Sequence, residues 1–231
     1  MSRKDDLAAN LRAVRERIAK ACEAAGRSPG EVTLIAVTKT FPASDVRLLA
    51  ELGVTDVAEN RDQEAAPKAA ECHDLGVTWH FVGQLQTNKA RSVVSYSDVI
   101  HSVDRARLAT ALSRAAVGAE RPLRCLIQVS LDEAEGRGGA DPEEVRPLAD
   151  AISAADGLEL GGVMAVAPLG ADPVPAFERL AQISHSLCAS YPSAKTVSAG
   201  MSADMEQAIA AGATHVRVGT ALLGGRRAIV R

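Results

Sequence analysis

Three sets of residues in this chain could do chemistry together. The first is Lys39, which closes the apolar run Val32-Thr33-Leu34-Ile35-Ala36-Val37-Thr38. Only six of the 26 basic residues are lysine, so the chain draws its positive charge mainly from arginine. An amine at a buried strand end points to chemistry that arginine does not perform, namely deprotonation and attack on a carbonyl. Taken alone, a lysine that merely reaches water is the simpler account. The second set is Ser198-Ala199-Gly200-Met201-Ser202-Ala203-Asp204, just before the helical run Met205-Glu206-Gln207-Ala208-Ile209. Its hydroxyls and backbone N–H groups suit a dianion. The third is His215-Val216-Arg217-Val218 followed by Gly219-Thr220, where glycine allows close approach and threonine adds a hydroxyl. Each glycine or serine segment alone reads equally well as a cap or turn. Their coincidence favours a site.

Arg217 lies two residues before Gly219, so both face the same side of their strand. A guanidinium facing inward needs an acceptor, because an unpaired buried charge is costly. Either a carboxylate such as Glu59 or a heterocyclic ring nitrogen would serve. A reactive lysine, a phosphate cradle and an inward arginine are together what pyridoxal 5'-phosphate requires. Lysine condenses with its aldehyde, the cradle holds the ester phosphate, and arginine meets the pyridine nitrogen. Asn60, in Ala58-Glu59-Asn60-Arg61, is positioned for the phenolic oxygen. Trp79 and Met164 read as packing, and the lone His80 reads more readily as a structural residue than as a ligand contact.

The elements that must position these groups alternate regularly. Strand-like runs fall at 32–38, 55–59, 78–83, 98–103, 123–131, 158–167, 195–199 and 214–219. Helical segments fall at 43–52, 61–74, 104–117, 142–155, 174–189 and 203–211, with a shorter link at 87–96. Several strands are apolar on both faces, the pattern of parallel strands covered on each side. This predicts a single (β/α)8 TIM barrel spanning residues 1–231, with an additional N-terminal helix over 1–27. A doubly wound open sheet is the alternative. Leu7, Leu11, Val14, Ile18 and Cys22 form one apolar stripe on the first helix, suited to packing on the barrel or to pairing. Packing, and hence a monomer, is the expectation; a weak dimer is the alternative. The Gly-rich segment 132–139, with Arg137, reads as a mobile loop on the active face.

A formal net charge of −3 and the lack of any like-charge block argue against nucleic acid. Cys22, Cys72, Cys125 and Cys188 are widely spaced and show no zinc pattern, so they read as reduced thiols and no metal is expected. Nothing resembles a signal peptide or membrane span, which predicts a cytoplasmic protein.

With those residues in view, the chain resembles the pyridoxal phosphate homeostasis proteins, single-barrel relatives of the alanine racemase N-terminal domain. The resemblance runs from about Leu7 to Gly224. It rests on Ala36-Val37-Thr38-Lys39, Glu59-Asn60 with Gln63-Glu64, Trp79 to Gln86 with Asn88-Lys89, and Gly162-Val163-Met164. It continues through Ser198 to Ser202 with Asp204-Met205, and Arg217-Val218-Gly219-Thr220. It implies that Lys39 carries the Schiff base and that Ser198, Gly200, Met201, Ser202, Gly219 and Thr220 surround the phosphate. It also implies that Arg217 faces the ring nitrogen. Three departures stand out: Arg61 where relatives often have tyrosine, Ala199 in place of a bulkier residue, and Arg137 where relatives carry lysine. Arginine at 137 weakens any transfer scheme in which a loop lysine takes the aldehyde.

A racemase of this kind needs a second domain and a tyrosine base, and Tyr96 and Tyr191 sit at no strand end. The expected function is therefore cofactor binding, with buffering and delivery to apoenzymes and without evident turnover. A residual amino-acid racemase, or a cofactor-free Schiff-base aldolase, are the alternatives.

Overall fold

A computed structural model describes residues 2–131 and 138–225. Helix α1 (Arg3–Ala24) opens the chain, and Ser2 and Asp5 cap it reciprocally. Eight strands then alternate with helices among the described residues. They are β1 (Thr33–Val37), β2 (Asp56–Glu59), β3 (Thr78–Phe81), β4 (Val99–Val103), β5 (Leu123–Gln128), β6 (Leu158–Met164), β7 (Thr196–Ser198) and β8 (His215–Val218). Between and after them run α2 (Ala43–Glu51), α3 (Asp62–Glu71), α4 (Ala90–Val94), α5 (Ala106–Gly118), α6 (Val145–Ser153), α7 (Val174–Ser190), α8 (Met205–Ala210) and α9 (Thr220–Leu223). Every neighbouring pair is parallel, and β8 pairs β1 from Thr33↔His215 to Ala36↔Val218, which closes the barrel. That pairing excludes the open sheet. The Arg137 loop position lies outside the described residues.

Strand parity divides the core in two. Ile35, Val37 and Ala58 pack with Val82 inside the barrel. Ala36, Val57, Trp79, Val216 and Val218 face outward and pack beneath α1 and α2. Trp79 is thus a packing residue, as expected. The apolar stripe of α1 is buried through Leu7, Leu11, Val14, Ile18 and Cys22, and the helix lies against α8, α9 and α2 of its own barrel.

The polar edge of α1 also reaches the rim. Arg17 Nε donates to Glu206 (2.7 Å) and its Nη2 to the Ser202 carbonyl (3.0 Å), while Asn10 Nδ2 donates to the Leu222 carbonyl (3.0 Å). These bonds tie the loops after β7 and β8 to a 22-residue helix. The four cysteines are free thiols, three of them buried.

Candidate functional site

Lys39 continues the inward row of β1, two residues beyond Val37 and four beyond Ile35. It stands at the C-terminal mouth, exposed. Among the described residues it makes no hydrogen bond or ion pair, so its amine is unengaged. The backbone beneath it is fixed. Thr38 N–H bonds the Ala58 carbonyl (2.9 Å), and the register Val37↔Ala58 brings Lys39 alongside Asn60. Thr40 follows in the left-handed region at φ 68°, a costly conformation for a β-branched residue. It is held there by its N–H to Glu64 Oε2 (3.3 Å) and by the turn from Phe41 N–H to the Thr38 carbonyl (3.1 Å).

Behind β1 and β2 sits a buried ion pair. Lys68 of α3 donates to Glu59 Oε1 (2.5 Å) and to the Thr38 carbonyl (2.9 Å), and Thr38 Oγ1 donates to the same Glu59 oxygen (2.6 Å). Burial pushes the Glu59 carboxyl above its ordinary range, against the pull of Lys68 and Thr38. The expected option of Glu59 as acceptor for Arg217 is therefore corrected. Glu59 is an odd-parity neighbour of inward Ala58 and points to α3, whereas Arg217 points into the barrel.

Arg217 is 4% exposed. Its Nη1 donates to the Ser198 carbonyl (2.8 Å) and Ser198 Oγ (2.6 Å), and its Nη2 to the Ala165 carbonyl (2.8 Å). Nε has no acceptor among the described residues, which leaves donor capacity for a ligand. Burial lowers this guanidinium to about 10. Ser198 is thus engaged one layer beneath the mouth, with Arg217 on one side and His101 Nδ1 (3.0 Å) on the other. It does not stand at the rim beside the other cradle residues.

The loops after β7 and β8 meet at the rim beside Lys39, because β8 adjoins β1. Gly200 adopts φ +87°, and a Cβ there would lie 2.6 Å from the Ala208 Cβ, so only glycine lets the loop settle against α8. The Met201 N–H is already spent on Asp204 Oδ1 (2.6 Å). Ser202 Oγ accepts from the Ala221 N–H (3.3 Å), linking the two loops. The N–H groups of Ser202, Gly219 and Thr220 have no protein acceptor among the described residues. Gly83 admits another close approach: a Cβ there would stand 2.0 Å from the Asn60 carbonyl oxygen, so glycine lets β3 exit against the Asn60 backbone.

His80, expected to be structural, lies inside the barrel bonded to His101 and Asp56. His101, Asp56, Lys68 and Arg17 are additional polar residues that support the site. For His101 the only signal in the sequence is an imidazole within the apolar strand Val99-Ile100-His101. Of the departures, Arg61 pairs with Glu64 (3.4 Å) on the exposed start of α3, and Ala199 is buried behind the sheet.

The sequence signature described as "Alanine racemase, N-terminal domain" matches residues 5–227. A pyridoxal phosphate homeostasis protein of Mycobacterium tuberculosis (strain ATCC 25618 / H37Rv) is 46% identical, covering 97% of this chain and 95% of its own. The chain belongs to this family. A second member, from Escherichia coli (strain K12), is 41% identical over 96% of this chain and 97% of its own. The solved structure of a family relative, PipY of Synechococcus elongatus PCC7942 with PLP bound, superimposes with a TM-score of 0.83 at 36% identity. It covers 94% of this chain and all of that one. In this family setting the free lysine, the buried arginine and the Gly200–Ser202 loop occupy one barrel mouth.

Proposed function

We propose that this protein binds pyridoxal 5'-phosphate covalently through Lys39 and takes part in its cytoplasmic homeostasis, buffering the cofactor and passing it to apoenzymes without turnover of its own. The observation that carries the reading is an unengaged lysine amine at the end of β1 beside a buried arginine on the adjoining β8, both at the mouth of a closed barrel, in a chain whose relatives bear that name. PipY, solved with PLP bound, supports the same ligand.

The residues present fit the group. Lys39 offers the amine, with Asn60 beside it for the phenolic oxygen. Arg217 offers its unspent Nε–H toward the ring nitrogen. Gly200, Ser202, Gly219 and Thr220 offer the hydroxyls and free N–H groups that a phosphate dianion requires. Met201 and Ser198 border this cradle, the one through its loop backbone and the other by holding Arg217 in place. When bound, the cofactor supplies an aldehyde for the amine and an electron-withdrawing ring.

Two features favour a carrier over a catalyst. An arginine partner does not keep the ring nitrogen protonated, which weakens the ring as an electron sink. Racemisation also needs a second base facing the lysine. Tyr96 lies at the end of α4 near Asp62, its phenol pushed up by burial and by that carboxylate. Tyr191 ends α7 and bonds Asp150. Neither reaches the mouth. The α1 stripe is spent on its own barrel, which supports a monomer.

The test is absorbance and covalent trapping. Protein incubated with pyridoxal phosphate should turn yellow, and borohydride should fix the label on the Lys39 peptide. The Lys39→Ala variant should stay colourless while melting within about 1 kcal/mol of the parent, because an exposed, unpartnered lysine contributes little to stability. Label on another peptide, or a normal colour in the variant, would overturn the assignment. D-alanine formation at a useful rate would favour the racemase. A colourless protein trapped on an aldehyde sugar would favour the aldolase.

A further inference from the structure

The barrel interior holds a line of polar side chains that the rim chemistry does not use. Asp56 Oδ1 lies 2.9 Å from His80 Nε2, and His80 Nδ1 lies 2.8 Å from His101 Nε2. His101 Nδ1 lies 3.0 Å from Ser198 Oγ, which lies 2.6 Å from Arg217 Nη1. Five strands contribute: β2, β3, β4, β7 and β8. The line runs from the N-terminal floor of the barrel to the arginine beneath the mouth.

With both imidazoles neutral, one arrangement of protons satisfies every bond. Arginine only donates, and an ionised carboxylate only accepts. Ser198 therefore accepts from Arg217 and gives its own proton to His101 Nδ1. His101 in turn donates from Nε2 to His80 Nδ1, and His80 donates from Nε2 to Asp56. In this arrangement each imidazole carries its proton on Nε2 and all the dipoles point one way, an alignment in which each bond strengthens the next. The ionisation of Asp56 is consistent with this. Burial raises its carboxyl, but hydrogen bonds from His80 and Thr55 (2.6 Å) outweigh burial and hold it below its ordinary range. Burial, with the Arg217 charge adding to it, keeps His101 far below the imidazole range, hence neutral.

Arg217 has no carboxylate in contact with it among the described residues, and Asp204 attracts it only from a distance. An uncompensated buried charge is costly; here the line of hydrogen bonds links Arg217 to the carboxylate of Asp56 at its far end. The other charged or titratable groups near the line are His215, bonded to Thr214 (2.8 Å), and Arg124, paired with Glu159 (3.4 Å). Asp56 is the member open to solvent. Its side chain is 17% exposed and lines a cavity of about 580 Å³ with Arg15, Val32, Leu34 and Thr55.

The geometry points to Asp56, His80 and His101 as positioning residues for Arg217, fixing its direction and its electrostatic balance from the opposite face of the barrel. Through Arg217 they set how firmly the ring nitrogen of the cofactor is held. This rests on the cofactor reading above. It also means that a change of charge on the floor of the barrel is felt at the mouth.

The first measurement needs no cofactor. Correlation spectra of protein labelled with 15N-histidine should show His80 and His101 with protonated Nε2 and bare Nδ1 at neutral pH. A Nδ1–H tautomer or a doubly protonated ring at either residue would overturn the arrangement. The second titrates pyridoxal phosphate into variants and reads the imine band. Asp56→Asn keeps a carbonyl acceptor for His80 and removes only the charge; His101→Phe cuts the line. Each should weaken cofactor retention about 2- to 10-fold, the size of one hydrogen bond's net contribution, and both should lower the pH midpoint of the imine band. Folded variants with parental retention and midpoint would refute the coupling. Should His101→Phe not fold, Asp56→Asn at the half-open end carries the same test. A parent protein that forms no imine would sink the cofactor reading, while the histidine spectra still decide the direction of the line.

Discussion

Two neighbouring strands, β1 and β8, end at the barrel mouth on opposite terms. At the end of β1, Lys39 is exposed and unbonded, and the chain leaves it through a strained Thr40. On the adjoining β8, Arg217 is buried and held by three hydrogen bonds to Ser198 and Ala165. The difference follows from what each side chain does. An amine proposed to bond a carbonyl ligand and release it again needs freedom of movement, which an exposed, unbonded side chain keeps. A guanidinium proposed to orient a ring gains from rigidity, because its rotamer entropy is lost on folding and not on binding. Rigidity on the lysine side lies one residue away, in the Thr38–Glu59–Lys68 cluster behind the sheet.

The contrast can be broken from several directions. Lys68→Ala should have the largest effect, about 3–5 kcal/mol of lost stability in denaturant titration, because it strands the Glu59 carboxylate in the core. A loss under about 1 kcal/mol would show that Glu59 is not held as an ion pair. Arg217→Gln should leave Lys39 reactive, while loosening cofactor retention about 10- to 100-fold and altering the imine spectrum. That range corresponds to about 1.5–3 kcal/mol for a hydrogen bond to a charged group. An unchanged spectrum and affinity would mean that Arg217 does not meet the ring.

Acid should act on the interior and spare the rim. Burial lowers His215 to about 4 and His101 well below the imidazole range. The unfolded chain therefore binds protons that the folded chain refuses. Stability from these groups is complete above about pH 6.5 and declines as pH falls toward 4, by about 2 kcal/mol per histidine at pH 5. A melting temperature flat between pH 7 and 5 would contradict neutral interior histidines. Thr40→Gly should have the smallest effect. It should raise stability by about 1 kcal/mol through relief of the left-handed strain, yet weaken cofactor retention slightly by loosening the turn after Lys39. A drop in stability would show that the Thr40 conformation carries no strain.

Much of this was legible in the chain itself. Closely spaced β/α alternation and strands apolar on both faces pointed to a parallel sheet covered by helices, with a barrel as the expectation, because period and burial are local properties of sequence. Lys39 at a strand end, the inward parity of Arg217 and the glycine in Ser198 to Ser202 were readable for the same reason. Tertiary structure decided the partners. Arg217 and Glu59 looked compatible as charges, yet opposite parity sends one into the barrel and the other to α3. Ser198 looked like a rim hydroxyl, and the stagger of β7 sets it beneath the rim. His80 and His101 lie 21 residues apart, and His101 and Ser198 lie 97 apart. The first contact needs two neighbouring strands in register, and the second forms only when the sheet curls so that β4 and β7 face each other across the interior. Local pattern fixes which way a side chain points; closure of the sheet fixes what it meets there.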